Sequence, residues 1–200
     1  MSQPDAHARC HGIVLAAGAA TRFDGVKLLA DFRGQPLITW PVRTALDSPV
    51  DGVTVVLGSH ADEVEAVLKP FQTPRLNIVR CARWSDGLSA SLKCGLAALP
   101  RDCRAALIFL GDMPNLDARL AGRVLAEVLD GAPAAIPEFG RMPGHPVAVS
   151  SGLFEQLGML DGDRGARSVL ENLDGVVRVE TDKPGCIQDV DTKKDLDGLA

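Results

Sequence analysis

The segment Leu15-Ala16-Ala17-Gly18-Ala19-Ala20-Thr21-Arg22-Phe23-Asp24-Gly25-Val26-Lys27 joins a run of the smallest side chains to two cations, directly after the apolar stretch that begins at Ile13. Small side chains let backbone N–H groups approach a ligand closely, and Arg22 and Lys27 supply the positive charge that a polyphosphate requires. The segment is a candidate phosphate-binding loop, although a small-residue turn with two solvated cations would have the same composition. It is not a Walker loop, which needs G-x-x-x-x-G-K-[ST]. Nor is it the dinucleotide fingerprint G-x-G-x-x-G, because Ala20 stands where that pattern has its second glycine.

A second candidate, Gly111-Asp112-Met113-Pro114, follows the fully apolar run Ala105 to Leu110. Ligands of open α/β sheets sit outside the carboxyl ends of the strands, so Asp112 is expected on the same edge as the first loop. There its carboxylate would be a hard oxygen ligand for Mg²⁺, an ion that takes one or two protein carboxylates and completes its shell with phosphates and water. A turn or capping aspartate before proline is the competing interpretation of Asp112 alone.

The elements that must position these groups alternate along the chain. Ile13 to Ala17, Val53 to Leu57, Leu76 to Val79 and Ala105 to Leu110 read as buried strands. Helical spacing marks Leu37 to Leu46 with Pro36 in its first turn, Val64 to Phe71 with Pro70 helping to end it, Leu88 to Leu99, and Leu116 to Val128. Leu28 to Phe32 is expected to be a short extended piece. Strands buried on both faces between helices predict a mostly parallel sheet flanked by helices, an α/β fold of Rossmann-like build. The proline-rich stretch from Ala132 to Pro146 reads as an edge hairpin turning at Phe139 to Gly144. Beyond it come a helix at about Gly152 to Leu157, a glycine loop at 162–165, a helix into Asn172, a strand at Val176 to Val179 and a last helix capped by Asp191 or Thr192.

Two hundred residues fit one domain spanning 1–200, with 1–11 expected to be a flexible N-terminus. Apolar residues make up 46% and charged residues 24%, which excludes a disordered or coiled-coil chain. Aromatic residues are 4% and the net charge is -5, so a nucleic-acid partner is not expected. An anionic substrate must then be attracted by a local cationic loop against the overall field. The polar start lacks the apolar core of a secretory signal, and no membrane span is expected, which makes the cytoplasm the default location. Cys10, Cys81, Cys94, Cys103 and Cys186 form no C-x-x-C pair and read as reduced thiols.

Taken together, the loop Leu15 to Lys27 with Leu28-Leu29, the Gly111 to Pro114 turn, Gly144-His145-Pro146-Val147, Gly162-Asp163-Arg164-Gly165-Ala166-Arg167 and Asp189-Val190-Asp191-Thr192 resemble the molybdenum cofactor nucleotidyltransferases, and among them the cytidylyltransferases. The resemblance spans nearly the whole chain in order and spacing. One departure is Asp24, which precedes Gly25 where family members often have glycine directly after the Arg-hydrophobic pair. The resemblance implies transfer of CMP from CTP to the terminal phosphate of a molybdopterin-type cofactor, with Mg²⁺ and release of pyrophosphate. It assigns Arg22 and Lys27 to the triphosphate, Asp112 to Mg²⁺ and the backbone of Leu15, Ala16, Ala17 and Gly18 to the nucleotide. Asp191 is a second metal carboxylate by the same analogy, or else a helix cap.

Within the family, Leu-Ala-Ala-Gly accompanies cytidine and Leu-Ala-Gly-Gly guanosine, and this chain has Leu15-Ala16-Ala17-Gly18. Gly87, Ser89 and Ser91 match the segment that flanks the base, where hydroxyls would read its polar edge. His145, Arg164 and Arg167 fall in loops that the resemblance places beside the acceptor, as cations for phosphate or pterin oxygens. Three other functions compete. A guanylyltransferase or related enzyme with another acceptor would share the core motifs. A non-catalytic carrier could deliver the cofactor to a molybdenum hydroxylase client. An NAD-dependent oxidoreductase would need the fingerprint that Ala20 breaks. A serine hydrolase fails on Gly87-Leu88-Ser89-Ala90-Ser91, which lacks the final glycine of G-x-S-x-G.

Overall fold

The computed structural model describes residues 9–20 and 22–199, so most of the expected flexible N-terminus, along with Thr21 of the loop and Ala200, lies outside the described residues. The chain runs β1 (Arg9–Ala16), a small hairpin of β2 (Asp31–Phe32) and β3 (Gln35–Pro36), α1 (Thr39–Asp47), β4 (Gly52–Leu57), α2 (Ala61–Leu68), β5 (Leu76–Arg80) and α3 (Leu88–Ala97). It continues through β6 (Cys103–Leu110), α4 (Ala118–Leu129), β7 (Ala134–Phe139), β8 (Met142–Pro143), β9 (Val147–Ser150), α5 (Phe154–Gly158), α6 (Ala166–Leu170), β10 (Val177–Glu180) and α7 (Lys193–Leu199). The main sheet has the order β10-β7-β9-β6-β1-β4-β5, with β8 paired to β7. The four strands read as apolar runs, β5, β4, β1 and β6, are mutually parallel. β9 lies antiparallel between β6 and β7, while β10 runs parallel to β7.

Each central strand feeds two apolar layers because successive side chains alternate across the sheet. Val14 of β1, Val53 and Val55 of β4 and Leu107 and Phe109 of β6 pack with α1, α2 and α4 on one face. Ile13 and Leu15, Val56, and Ala106 and Ile108 pack with α3, α5 and α6 on the other. Every residue of β4 is buried, as a strand covered on both faces requires.

Four local expectations differ. The first strand begins at Arg9 rather than Ile13, so 9–11 are not part of a flexible end. The Cys10 N–H donates to Asp51 Oδ2 at 2.8 Å and the Cys10 carbonyl accepts from the Asp51 N–H at 2.8 Å, which extends the pairing with the approach to β4. Lys27–Leu29 is a short 3-10 turn rather than extended chain. Pro36 lies in β3 and pairs with Asp31, so α1 starts only at Thr39. Finally, α2 stops at Leu68 and Pro70 sits inside a following 3-10 turn at Lys69–Phe71. The expected edge hairpin is present between β7 and β8, and its turn residues Gly140 (φ 55°) and Arg141 (φ 69°) both have the positive φ of a type I′ turn.

Candidate functional site

The carboxyl ends of β1 and β6 lie side by side, because β1 and β6 are paired up to Leu15 and Leu110. The Gly111 N–H donates to the Leu15 carbonyl at 2.8 Å and carries this contact one residue further. A side chain at Gly111 would meet Ala16 Cβ, Ile38 Cδ1 and the Leu15 carbonyl oxygen, each at 3.0 Å, so glycine is what permits the close approach. Asp112 is thereby set beside the Leu15–Lys27 loop, as expected from the sequence.

Lys27 enters from the 3-10 turn below the loop. Its ammonium lies 2.7 Å from Asp112 Oδ2 and 3.6 Å from Asp191 Oδ1, with the lysine side chain only 10% exposed. Arg22 reaches the other oxygen of Asp191, Nη2 to Oδ2 at 2.8 Å, from a side chain that is 74% exposed. The two loop cations therefore face two carboxylates. The cationic loop expected from the sequence is locally balanced rather than free positive charge.

Asp191 is brought here by two features. The Val190 N–H donates to the Asp112 backbone carbonyl at 3.0 Å, which aligns the incoming C-terminal segment. Thr192 then caps α7, since its hydroxyl oxygen accepts from the Asp195 N–H at 3.3 Å while Asp195 Oδ2 accepts from the Thr192 N–H at 2.8 Å and the Asp191 N–H at 3.2 Å. This reciprocal capping leaves the Asp191 carboxylate to Lys27 and Arg22. Asp189, quoted in the sequence motif without a role of its own, is a third carboxyl nearby. Burial holds it above its usual range, aided by Asp112 and Asp191 and opposed by a backbone hydrogen bond and Lys27.

A cleft of about 620 Å³ opens over these groups, within the size range of small-molecule sites. Ala17 to Ala20 line it together with Arg22, Asp112 and Asp191, and so do Trp84, Ser85, Gly87, Leu88, Ser91 and Asp163. Gly87 has φ +106°, and a Cβ there would lie 2.5 Å from the Gly162 carbonyl and 2.7 Å from Asp163 Oδ1. The Ser89 N–H donates to the Gly162 carbonyl at 3.1 Å, so the glycine loop at 162–165 is docked onto the start of α3.

Of the sequence candidates, Leu15, Ala17, Gly18, Arg22, Gly87, Ser91, Asp112 and Asp191 line this cleft, and Lys27 closes its floor through Asp112. Ala16 is buried at the end of β1. Ser89 is 2% exposed and borders a different cavity with Cys81 and Cys94 rather than this cleft. Arg164 is exposed and donates from Nε to the Asp161 carbonyl at 3.4 Å. Arg167 Nε lies 3.8 Å from Glu171 Oε1, and neither arginine is in the cleft wall. His145 faces inward, with Nδ1 3.5 Å from the Ile108 carbonyl oxygen. Burial pushes its pKa down to about 4, so the ring is neutral near pH 7 and is not the cation expected from the sequence. Trp84, Ser85 and Asp163 are wall residues that the sequence argument did not assign, although Asp163 adjoins the arginine it chose.

The donor set suits a hard divalent cation. Two carboxylates converge on one point, the Lys27 ammonium, which matches the one or two that Mg²⁺ takes alongside phosphates. Among the described residues no group of three or more His, Cys, Asp or Glu side chains is arranged to hold a metal, so the protein alone would supply only part of a coordination shell. No helix of the described residues is long and apolar enough to cross a membrane.

A mostly parallel sheet with an alanine-glycine loop after its first strand and an aspartate after β6 defines a nucleotidyltransferase-type α/β domain. The chain belongs to the MobA-like NTP transferase domain family, whose model matches residues 12–177. It is 30% identical over 197 residues to nicotine blue oxidoreductase of Paenarthrobacter nicotinovorans, covering 92% of this chain and 93% of that protein. It is 28% identical over 193 residues to the purine catabolism protein PucB of Bacillus subtilis, covering 93% of each. Among solved structures, Rv0371c of Mycobacterium tuberculosis superposes with a TM-score of 0.83 at 26% identity, covering 96% of this chain and 97% of that one. The same protein has a solved complex with manganese, at a TM-score of 0.79 and 25% identity.

Proposed function

We propose that this protein is a Mg²⁺-dependent cytidylyltransferase that moves CMP from CTP to the terminal phosphate of a molybdopterin-type cofactor and releases pyrophosphate. The observation that carries the reading is the convergence of Asp112, Asp191, Lys27 and Arg22 at the foot of the Ala17–Ala20 loop. An oxygen of the acceptor phosphate attacks the α-phosphorus in line, the bond from that phosphorus to the bridging oxygen breaks, and pyrophosphate carries away the electron pair. No covalent enzyme intermediate is required, so the protein contributes position and charge.

Lys27 and Arg22 would neutralise the triphosphate, while Asp112 and Asp191 would hold Mg²⁺. When bound, the ion supplies Lewis-acid stabilisation of the charge that develops on the phosphate oxygens. Ala17, Gly87 and Ser91 border the base, and the Ala17 methyl narrows the pocket toward a pyrimidine. On the acceptor side, His145 offers a neutral ring: the Nδ1 hydrogen faces the Ile108 carbonyl, leaving Nε2 as a hydrogen-bond acceptor. Arg164 and Arg167 would engage an acceptor extending beyond the cleft. A molybdenum hydroxylase client would receive the product.

The test is pyrophosphate release from CTP, GTP, ATP and UTP, each with Mg²⁺ and a molybdopterin acceptor. Release with CTP ahead of the other nucleotides supports the proposal, and release with GTP keeps the reaction class while replacing the base. The relative named nicotine blue oxidoreductase raises a second reading, an oxidoreductase acting in the same cleft, for which a nicotinamide cofactor is the candidate to test. Saturable NADH binding that CTP does not displace, without pyrophosphate release, would favour that reading.

A further inference from the structure

Lys27 lies between the two carboxylates that would hold a metal. Its ammonium contacts Asp112 Oδ2 at 2.7 Å and Asp191 Oδ1 at 3.6 Å, so one cation already bridges the two carboxylates that would bind a divalent ion. The side chain is 10% exposed, against 25% for Asp112 and 36% for Asp191, so the ammonium lies on the protein side of the pair. Its backbone is fixed. The Leu29 N–H donates to Val26, the Ala30 N–H to Lys27 itself and the Ile38 N–H to Leu28, and Leu28 is buried beneath. Any movement of the ammonium must therefore come from side-chain torsions. Arg22 occupies the outer oxygen of Asp191 at 2.8 Å, and the four charges sum to zero.

From this geometry we infer that Lys27 is an internal stand-in for the divalent ion, exchanging its partners from the Asp112–Asp191 pair to the nucleotide phosphates as metal and nucleotide enter together. This rests on the nucleotidyltransferase reading and adds the order in which that site is loaded. A free divalent ion would have to share Asp112 and Asp191 with this ammonium, whose further carboxyl neighbour is Asp189, and two positive centres cannot share so short a gap cheaply. A nucleotide supplies a further anion. Metal and nucleotide binding are then coupled, and each strengthens the other by the same factor.

The test is direct titration of Mn²⁺ into the full-length protein at pH 8, read by the loss of the free-ion paramagnetic resonance signal, with and without CTP. The wild type should bind Mn²⁺ weakly alone and at least tenfold more tightly with CTP. Lys27→Met and Lys27→Gln should bind Mn²⁺ without nucleotide at least tenfold more tightly than the wild type, and CTP should add less to their affinity. Two substitutions of different polarity guard against a variant that fails to fold, and thermal melting checks each. Unchanged or weakened Mn²⁺ binding in folded variants overturns the inference. Tighter Mn²⁺ binding in the variants, with no nucleotide binding by any form of the protein, leaves the stand-in role in place and removes the nucleotidyltransferase reading instead.

Discussion

Lys27 and Asp112, 85 residues apart in the chain, meet at 2.7 Å on the floor of the cleft. The pair joins the loop after β1 to the turn after β6, and Asp191 completes it from the C-terminal segment. Three distant pieces of chain thus share one charge cluster, and the cluster depends on the segments that aim each member.

Asp195 is the clearest case of such aiming. Its Oδ2 accepts from the N–H groups of Asp191 and Thr192 and from the Thr192 hydroxyl at 2.8 Å. Asp195→Ala should lower stability, because the N–H groups of Asp191 and Thr192 lose their acceptor. It should also weaken divalent-metal binding with nucleotide present, because Asp191 loses its backbone anchor. Calorimetric titration with Mn²⁺ and CTP beside thermal melting checks both. A stability loss without an affinity loss would show that Asp191 is not a metal ligand.

The half-buried His145 predicts a pH dependence of known sign. Its pKa is about 4 in the folded protein and about 6.5 when unfolded, so the unfolded chain binds the extra proton between those values. Stability should be full above about pH 6.5 and fall as the pH drops toward 4, by ~3 kcal/mol at most. The difference in stability between wild type and His145→Gln, followed by denaturant titration from pH 7 to 4, should trace this fall. A pH-independent difference would mean that the ring is accessible and charges normally.

Base choice is testable at Ala17, which is buried at the end of the strand and lines the cleft. Its carbonyl accepts from the Ser59 N–H at 3.1 Å, which holds the backbone while leaving the methyl as the variable part. Ala17→Gly should admit a purine and reduce the preference for CTP over GTP by about tenfold, near the effect of one methyl in a tight pocket. Competition binding measures the ratio, and unchanged selectivity would remove the steric account.

Much of this architecture was legible because its signals are local. Continuous apolar runs between helical repeats identify the parallel strands β1, β4, β5 and β6, and strand-end placement puts Asp112 beside the loop. Other features needed the folded neighbours. Leu28 and Leu29 have no periodicity that separates a 3-10 turn from a strand, and Pro36 suits a helix start until Asp31 pairs with it. Ser89 and Ser91 are two positions apart on a helix, and residues so spaced do not face the same way, which is why only Ser91 borders the cleft. His145 reads as a cation because its residue type permits charge, whereas its state is set by burial against β6. The pairing of Arg22 and Lys27 with Asp191 was equally hidden, since it joins opposite ends of the chain.

The most direct test of the central claim is thermal stability with CTP, with and without Mg²⁺, in the wild type and in Asp112→Asn. A ligand at about 100 times its dissociation constant stabilises by roughly 2.7 kcal/mol, which is readily seen as a rise in Tm. A rise with CTP and Mg²⁺ together that largely disappears without Mg²⁺, and in Asp112→Asn, is the predicted result. An equal response in Asp112→Asn, or no response to CTP under any condition, would contradict a metal-assisted nucleotide site at Asp112.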